Sequence, residues 1–178
     1  MKNEKGNMTT FLIAAITADG FIARHSRHLA DWTSKEDKQF FTQKTKEAGV
    51  VIMGLNTFRT IGRPLGGRHN IVYAPASPAG RPPEEKLQGV EITQENPKDL
   101  LARLEQKGYK QAAICGGATI YTMFMEAGVV DKLYLTVEPV LFGAGIGLFT
   151  KELDVRLTLQ SVQKLNEQST LFEYNIMK

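Results

Sequence analysis

The sequence predicts a three-layer α/β domain: a mostly parallel central sheet of about eight strands, helices on both faces and a C-terminal antiparallel hairpin. Three observations lead there. Short runs such as FLIAAIT and VVIM are apolar on both faces, the pattern of strands covered from two sides. Between such runs lie segments with helix start and stop signals, and this alternation is what parallel strands joined by crossover helices require. Beyond Leu157 two strand candidates follow each other with no helix between them, so they pair as a hairpin.

Phe11 to Thr17 is the first strand, and Asp19-Gly20 ends it. After a polar loop, Ser34-Lys35-Glu36-Asp37 opens a helix to about Ala48, with Ser34 as its N-cap and Gly49 as its stop. Val50 to Met53 is a short buried strand, Leu55 to Ile61 a short helix or turn, and Asn70 to Tyr73 another strand. The proline-rich stretch APASPAGRPPEE, Ala74 to Glu85, reads as surface loop. Val90 to Thr93 is a strand, and Asn96 caps a helix through Lys107, with Pro97 where its missing N–H costs nothing. Ala112 to Cys115 is strand, Gly116-Gly117 leads into a helix over Ala118 to Ala127, and Leu133 to Val137 is strand again. After the glycine-rich LFGAGIG turn come Leu157 to Val162 and Leu171 to Ile176.

Composition bounds the function classes. The 178 residues have the length of one domain, read as residues 9–178, and residues 1–8 read as a loose leader in which Met8 is a candidate start. With 42% hydrophobic and 23% charged residues the chain is globular, and a net charge of +3 is too mild and too interspersed for nucleic-acid binding. Cys115 is the one cysteine, and His25, His28 and His69 form no metal-ligand spacing, so structural zinc and disulfides are not expected. FLIAAITA is too short, and its basic flank too interrupted by Glu4, for a secretory signal, and no run reaches the roughly 18 apolar residues of a membrane span. A cytoplasmic small-molecule protein, monomer or homodimer, without nucleic-acid or membrane partners, is the expectation.

In an open α/β sheet, ligands bind at the carboxyl ends of strands, where helix N-termini present unpaired N–H groups. Two places have that form: VIMG, ending at Gly54, followed by Leu55-Asn56-Thr57, and AAIC followed by Gly116-Gly117-Ala118-Thr119. Together they are suited to the two ends of a dinucleotide, although no GxGxxG marks an ordinary Rossmann domain and no G-x-S-x-G a hydrolase. Asp37 is the acid candidate. Its competing explanation is local, because S-x-x-D is itself a capping box and a carboxylate suits a helix start. Glu36 has the same local claim, but Asp37 shares its four-residue stripe with Phe41 and Thr45, the face that turns inward. Read locally, Trp32 is a core or lid anchor, Tyr121 and Thr136 are satisfied core polars, and Cys115 is a small buried hydrophobe. Arg63 and Arg68, set among glycines and a proline, are either solvated loop charges or partners of an anion.

FLIAAITADGFIA, DWTSKEDKQFF, VVIMGLNTFRTIGRPLGGRHNIV, ICGGATIY and KLYLT occur in the order and spacing of dihydrofolate reductase, and the chain resembles that family over roughly residues 9 to 140. The GxxTFxxIGRPLxGRxN segment is the most specific part. The resemblance implies a dihydrofolate reductase-like fold and NADPH-dependent reduction of dihydrofolate to tetrahydrofolate. By position it implies that Asp37 binds the pteridine through its 2-amino group and ring N–H, that Thr136 supports that carboxylate, and that Phe41 packs on the substrate. Ile13, Cys115 and Tyr121 then form the wall of the pterin and nicotinamide pocket, and Arg68 and Arg63 meet the glutamate carboxylate and the aminobenzoyl tail. Gly54, Asn56-Thr57 and Gly116, Gly117, Ala118, Thr119 and Ile120 correspond to the cofactor segments, with Ala15 and Ile22 on the nicotinamide side and Trp32 behind the lid.

The sequence also departs from that pattern. Leu55 and Ala74-Pro75 stand where the family has basic and hydroxyl residues near the adenosine phosphates, which leaves NADH open beside NADPH. The lid between Ile22 and Trp32, RHSRHLAD, is basic and lacks the family's Pro-Trp pair, and ADGFIA and GVVDKLYLTVEPVLFGAGIGLF resemble the related reductase of riboflavin synthesis, whose substrate is a ribosylamino-pyrimidine phosphate. That reductase is the alternative reading, and a non-catalytic nucleotide-binding module is a further one.

Overall fold

The computed structural model describes residues 8–75 and 87–178; the leader, apart from Met8, and most of the proline-rich loop lie outside the described residues. The elements run β1 (Thr9–Thr17), β2 (Phe21–Ala23), α1 (Lys35–Ala48), β3 (Val50–Gly54), α2 (Leu55–Ile61), β4 (His69–Tyr73), β5 (Glu91–Thr93), α3 (Pro97–Gln106), β6 (Gln111–Ile114), α4 (Ala118–Glu126), β7 (Lys132–Glu138), β8 (Ile146–Gly147), β9 (Leu157–Lys164) and β10 (Thr170–Ile176).

Eight strands form one sheet in the order β5-β4-β3-β6-β1-β7-β10-β9. All pairs from β5 to β7 are parallel, while β10 is antiparallel to both β7 and β9. The predicted architecture is therefore observed. One face packs Leu100, Leu101 and Leu104 of α3 and Phe124 and Met125 of α4 on Leu12, Val50, Ile52 and Ile71, with Met8 half-buried against the same cluster. The other packs Ala48 of α1 and Phe58 of α2 on Phe11, Val51, Met53 and Val72. The doubly apolar runs read from the sequence are the consequence of this two-sided covering.

Local signals set the helix ends. The Ser34 side chain accepts the Asp37 N–H at 3.1 Å, and the Gly49 N–H closes α1 on Thr45 and Lys46 carbonyls. The Asn96 side chain accepts the Asp99 N–H, with Pro97 in the first turn.

One small element goes beyond the sequence reading. β2 and β8 pair as a second, two-stranded sheet inside segments that read as a polar loop and a glycine turn. Strands of three and two residues carry no periodicity, so only tertiary contact defines them. Gly145 permits the approach: a Cβ there would lie 2.4 Å from the Ala23 carbonyl oxygen. The loop after β2 is thereby tied to the segment after β7.

Candidate active site

The cleft originates in a split of the sheet. β1 and β6 pair from Thr9↔Gln111 to Leu12↔Ile114 and no further. β6 stays with β3, since the Cys115 N–H donates to the Ile52 carbonyl and the Gly54 N–H to the Gly116 carbonyl, each at 2.8 Å. β1 continues to Thr17 paired only with β7. The strands thus part at a topological switch point, where a ligand can enter between their carboxyl ends. The split orphans the Ile13 carbonyl, and the Tyr121 hydroxyl donates to it at 2.7 Å. Burial in this position raises the Tyr121 phenol well above its ordinary value.

The resulting cleft has a volume of about 1360 Å³. That exceeds the roughly 300–1,000 Å³ of a single-ligand pocket and leaves room for two molecules side by side. Of the residues predicted for the site, Ile13, Ala15, Ile22, Trp32, Asp37, Phe41, Arg63, Cys115 and Tyr121 line it, as do Gly54, Asn56, Thr57 and Gly116 to Ile120.

Two predicted residues lie elsewhere. Thr136, on β7 and 1% exposed, lies off the wall and hydrogen-bonds the Asp37 carboxylate. Arg68 is half-buried off the wall, its Nη1 donating to Thr45 Oγ1 at 2.7 Å and its Nε to the Gly66 carbonyl at 3.0 Å. Among the described residues no carboxylate pairs with Arg68, so its charge is anchored by neutral groups only.

Asp37 is the one carboxylate among the described residues lining the cleft, and it is 9% exposed. Burial raises its carboxyl above the ordinary range. The hydrogen bond from Thr136 pulls the other way, the Glu138 carboxylate pushes it up again, and Thr33 and Lys38 pull it down, with a net shift upward. Glu36, the rival on local grounds, turns away and accepts from Asn166 Nδ2 at 2.9 Å. Cys115 is buried, which pushes its thiol up to about 12 and leaves it a packing group.

The opposite side of the cleft is backbone. Gly54 and Gly117 are the N-caps of α2 and α4, and no side chain caps either helix. Their first N–H groups stay available at positions where a side chain would intrude: a Cβ on Gly54 would meet Ile120 at 3.1 Å, and one on Gly116, whose φ is +111°, would meet the Tyr121 hydroxyl at 3.1 Å. This part of the cleft continues over the ends of β3, β4 and β5, where Leu55, Tyr73, Ala74, Pro75 and Gln94 line it, with Arg59 of α2 the cation among the described lining residues nearest to Leu55 in the chain.

The rim on the β2 side is basic and aromatic. His25, Ser26 and His28 line it, the Arg24 guanidinium sits 4.1 Å from the Phe142 ring centre, and Trp32 packs edge-on against Phe142 at 5.2 Å. Trp32, the residue expected at the lid, packs here against Phe142, a partner that the sequence reading did not identify.

The sequence reading also missed Glu138. It is 2% exposed, and its carboxylate accepts the Ser34 N–H and O–H, each at 2.8 Å, and the Ser169 hydroxyl. A signal was present: Tyr134, Thr136 and Glu138 alternate along β7, so the glutamate shares the face of the threonine assigned to Asp37.

A family model described as dihydrofolate reductase matches residues 9–142. The dihydrofolate reductase type 3 of Salmonella typhimurium is 33% identical over 129 residues, covering 72% of this chain and 71% of that protein. In solved structures the fold is similar to a pyrimidine reductase-like protein from Corynebacterium diphtheriae (TM-score 0.78, 18% identity, 97% and 93% of the two chains). It is similar as well to the dihydrofolate reductase of Enterococcus faecalis complexed with NADP(H) (TM-score 0.72, 23% identity, 97% and 98%).

Proposed function

The chain belongs to the dihydrofolate reductase family, and on that premise we propose that it reduces 7,8-dihydrofolate to 5,6,7,8-tetrahydrofolate with NADPH. The observation that carries the reading is Asp37, a lone buried carboxylate in an otherwise apolar part of the cleft, with Arg63 on the rim and Arg68 behind it. A pteridine offers a 2-amino group and a ring N–H side by side, and one carboxylate accepts both. Arg68, held by Thr45 and Gly66 with no acid beside it among the described residues, suits the glutamate carboxylate at the other end of such a substrate.

The glycine cradle fits a nicotinamide dinucleotide. The uncapped first turns of α2 and α4 would take its phosphates, Ile120 and Tyr121 would flank its reactive ring, and Ala15 and Ile22 would close the far side. When bound, the cofactor supplies the hydride that goes to the pteridine carbon of the C=N bond, while a proton goes to the adjacent nitrogen. The protein's share is alignment and proton affinity. Asp37, raised by burial, fixes the ring and favours its protonated form, and Phe41 and Ile13 hold it flat in a site that excludes water. Leu55, Ala74 and Pro75 themselves offer a 2′-phosphate neither a charge nor a hydroxyl, so NADH is the alternative donor.

The basic rim around His25 and His28 favours a second reading, reduction of a ribosylamino-pyrimidine phosphate, because a phosphate suits that loop better than a pteridine does. Cofactor oxidation followed with dihydrofolate and with that pyrimidine in parallel separates the two. Turnover of the pyrimidine alone overturns the folate reading.

A further inference from the structure

The start of α1 contains an unexpected exchange of partners. In a capping box the N-cap hydroxyl accepts the N–H of the third helical residue, and that residue's carboxylate reaches back to the N-cap N–H. Ser34 and Asp37 stand in those two places, and the first half of the box is present, Asp37 N–H to Ser34 Oγ. The second half is not. The Ser34 N–H goes instead to Glu138 Oε1, from a residue 104 positions later in the chain. The same oxygen accepts the Ser34 hydroxyl proton, which leaves a lone pair of that hydroxyl for the Asp37 N–H. The other Glu138 oxygen is held by Ser169 in the β9–β10 turn, and Asn166 of that turn bonds Glu36.

We propose that Glu138 is the positioning residue of this site: it takes over the capping role that the Ser34-x-x-Asp37 sequence assigns to Asp37, and so leaves the Asp37 carboxylate free to face the cleft. The inference rests on the reading of Asp37 as the ligand-binding acid. Without Glu138, the half-buried Ser34 N–H loses its partner, and Asp37, at the capping-box position three residues on, is the carboxylate placed to satisfy it. Its carboxylate would then rotate away from the pteridine. Glu138 has a second effect through its charge. Asp37 is faced by Thr33 and Lys38 from its own segment, by Thr136 and Glu138 from β7 and by Tyr121 from α4. Of these, Glu138 is the buried anion that opposes ionisation of Asp37.

The test compares Glu138→Ala and Glu138→Gln in the full chain. Glutamine keeps a carbonyl oxygen for Ser34 but removes the charge; alanine removes both. Glu138→Ala is expected to lose roughly 10–100-fold in kcat/KM for dihydrofolate, the scale of a misplacement near 1 Å, with cofactor affinity retained. Glu138→Gln is expected to recover most of that loss while the Asp37-dependent limb of its pH profile moves to lower pH. Carbon-13 NMR of the Asp37 carboxyl reads the same shift without turnover, and it decides the matter in Glu138→Gln even where the alanine variant does not fold. A folded Glu138→Ala that keeps the wild-type kcat/KM overturns the proposal, as does an Asp37 titration in Glu138→Gln unchanged from wild type. Asp37→Asn serves as the parallel control: if it turns over normally, the site reading itself has failed, whereas an inactive Asp37→Asn beside wild-type Glu138 variants refutes the positioning role alone.

Discussion

Asp37→Asn is expected to separate function from folding. The substitution keeps the volume and an oxygen able to accept from Thr136 and Thr33, both of which hydrogen-bond the native carboxylate. It removes the charge and turns an N–H₂ toward the side where a pteridine presents its own donors. A charge-assisted hydrogen bond is worth about 1.5–3 kcal/mol, and two made side by side to one ring, lost together with the aid to protonation, correspond to roughly 10²–10⁴-fold in kcat/KM at neutral pH. Stability responds in the opposite direction. The Asp37 carboxyl is raised from a reference value of 3.8, so the folded state binds the proton more tightly than the unfolded chain. As pH rises from the unfolded value through the folded one, that residue costs the native state free energy, and the cost is fully present above the folded value. Asparagine removes it. Urea unfolding at pH 7 should therefore show the variant without ligand at least as stable as wild type, with the difference vanishing toward pH 3. Cofactor binding, followed by fluorescence quenching, should be unchanged because the α2 and α4 N-termini are untouched. Retained turnover refutes the assignment of Asp37, and a large loss of stability at pH 7 refutes the account of its burial.

Three further expectations concern other parts of the cleft. Tyr121→Phe removes the hydroxyl that donates to the Ile13 carbonyl at the point where β1 and β6 separate; a buried acceptor left unpaired costs about 1–3 kcal/mol, measurable as a lower urea midpoint with an unchanged slope. Arg68→Ala should raise KM for dihydrofolate by roughly 10–100-fold with little change in kcat, and exposed Arg63→Ala by only about 5-fold. A pteridine without the carboxylate tail should show neither effect, and equal losses on both substrates would assign Arg68 to the fold through its bond to Thr45. Leu55→Arg adds a cation to the part of the cleft lined by Ala74 and Pro75; the ratio of kcat/KM for NADPH over NADH should rise by about 10-fold, and an unmoved ratio would mean that this stretch does not meet the 2′-phosphate.

The residues that pointed to the site did so through local chemistry. A glycine after a strand, a hydroxyl or carboxylate at a helix start and a stripe at four-residue spacing are all short-range patterns, which is why Gly54, Gly116, Asp37 and Phe41 were legible one by one. The choice of Asp37 over Glu36 rested on facing along α1, and the structure supplies the reason the facing matters: Glu36 is taken by Asn166, a residue of the distant C-terminal hairpin. Thr136 and Arg68 stand off the cleft wall, beside Asp37 and Thr45, because whether a side chain stands in front of or behind a ligand depends on the neighbouring element, not on its own strand or loop.

By itself, then, the sequence determined the alternation of strands and helices and the helix ends at Ser34, Gly49 and Asn96, since propensity, capping and periodicity act within about one turn or one strand pair. Only the tertiary structure decided that β1 and β6 part after Leu12, that Tyr121 closes the carbonyl this exposes, that β2 and β8 pair, and that Glu138 caps α1 in place of Asp37. Each of these joins groups from different elements, most of them more than a hundred positions apart, and such a bond exists only after the sheet has brought its partners together. The carboxylate that reads locally as a helix cap is released into the cleft by another carboxylate that no local pattern connects to it.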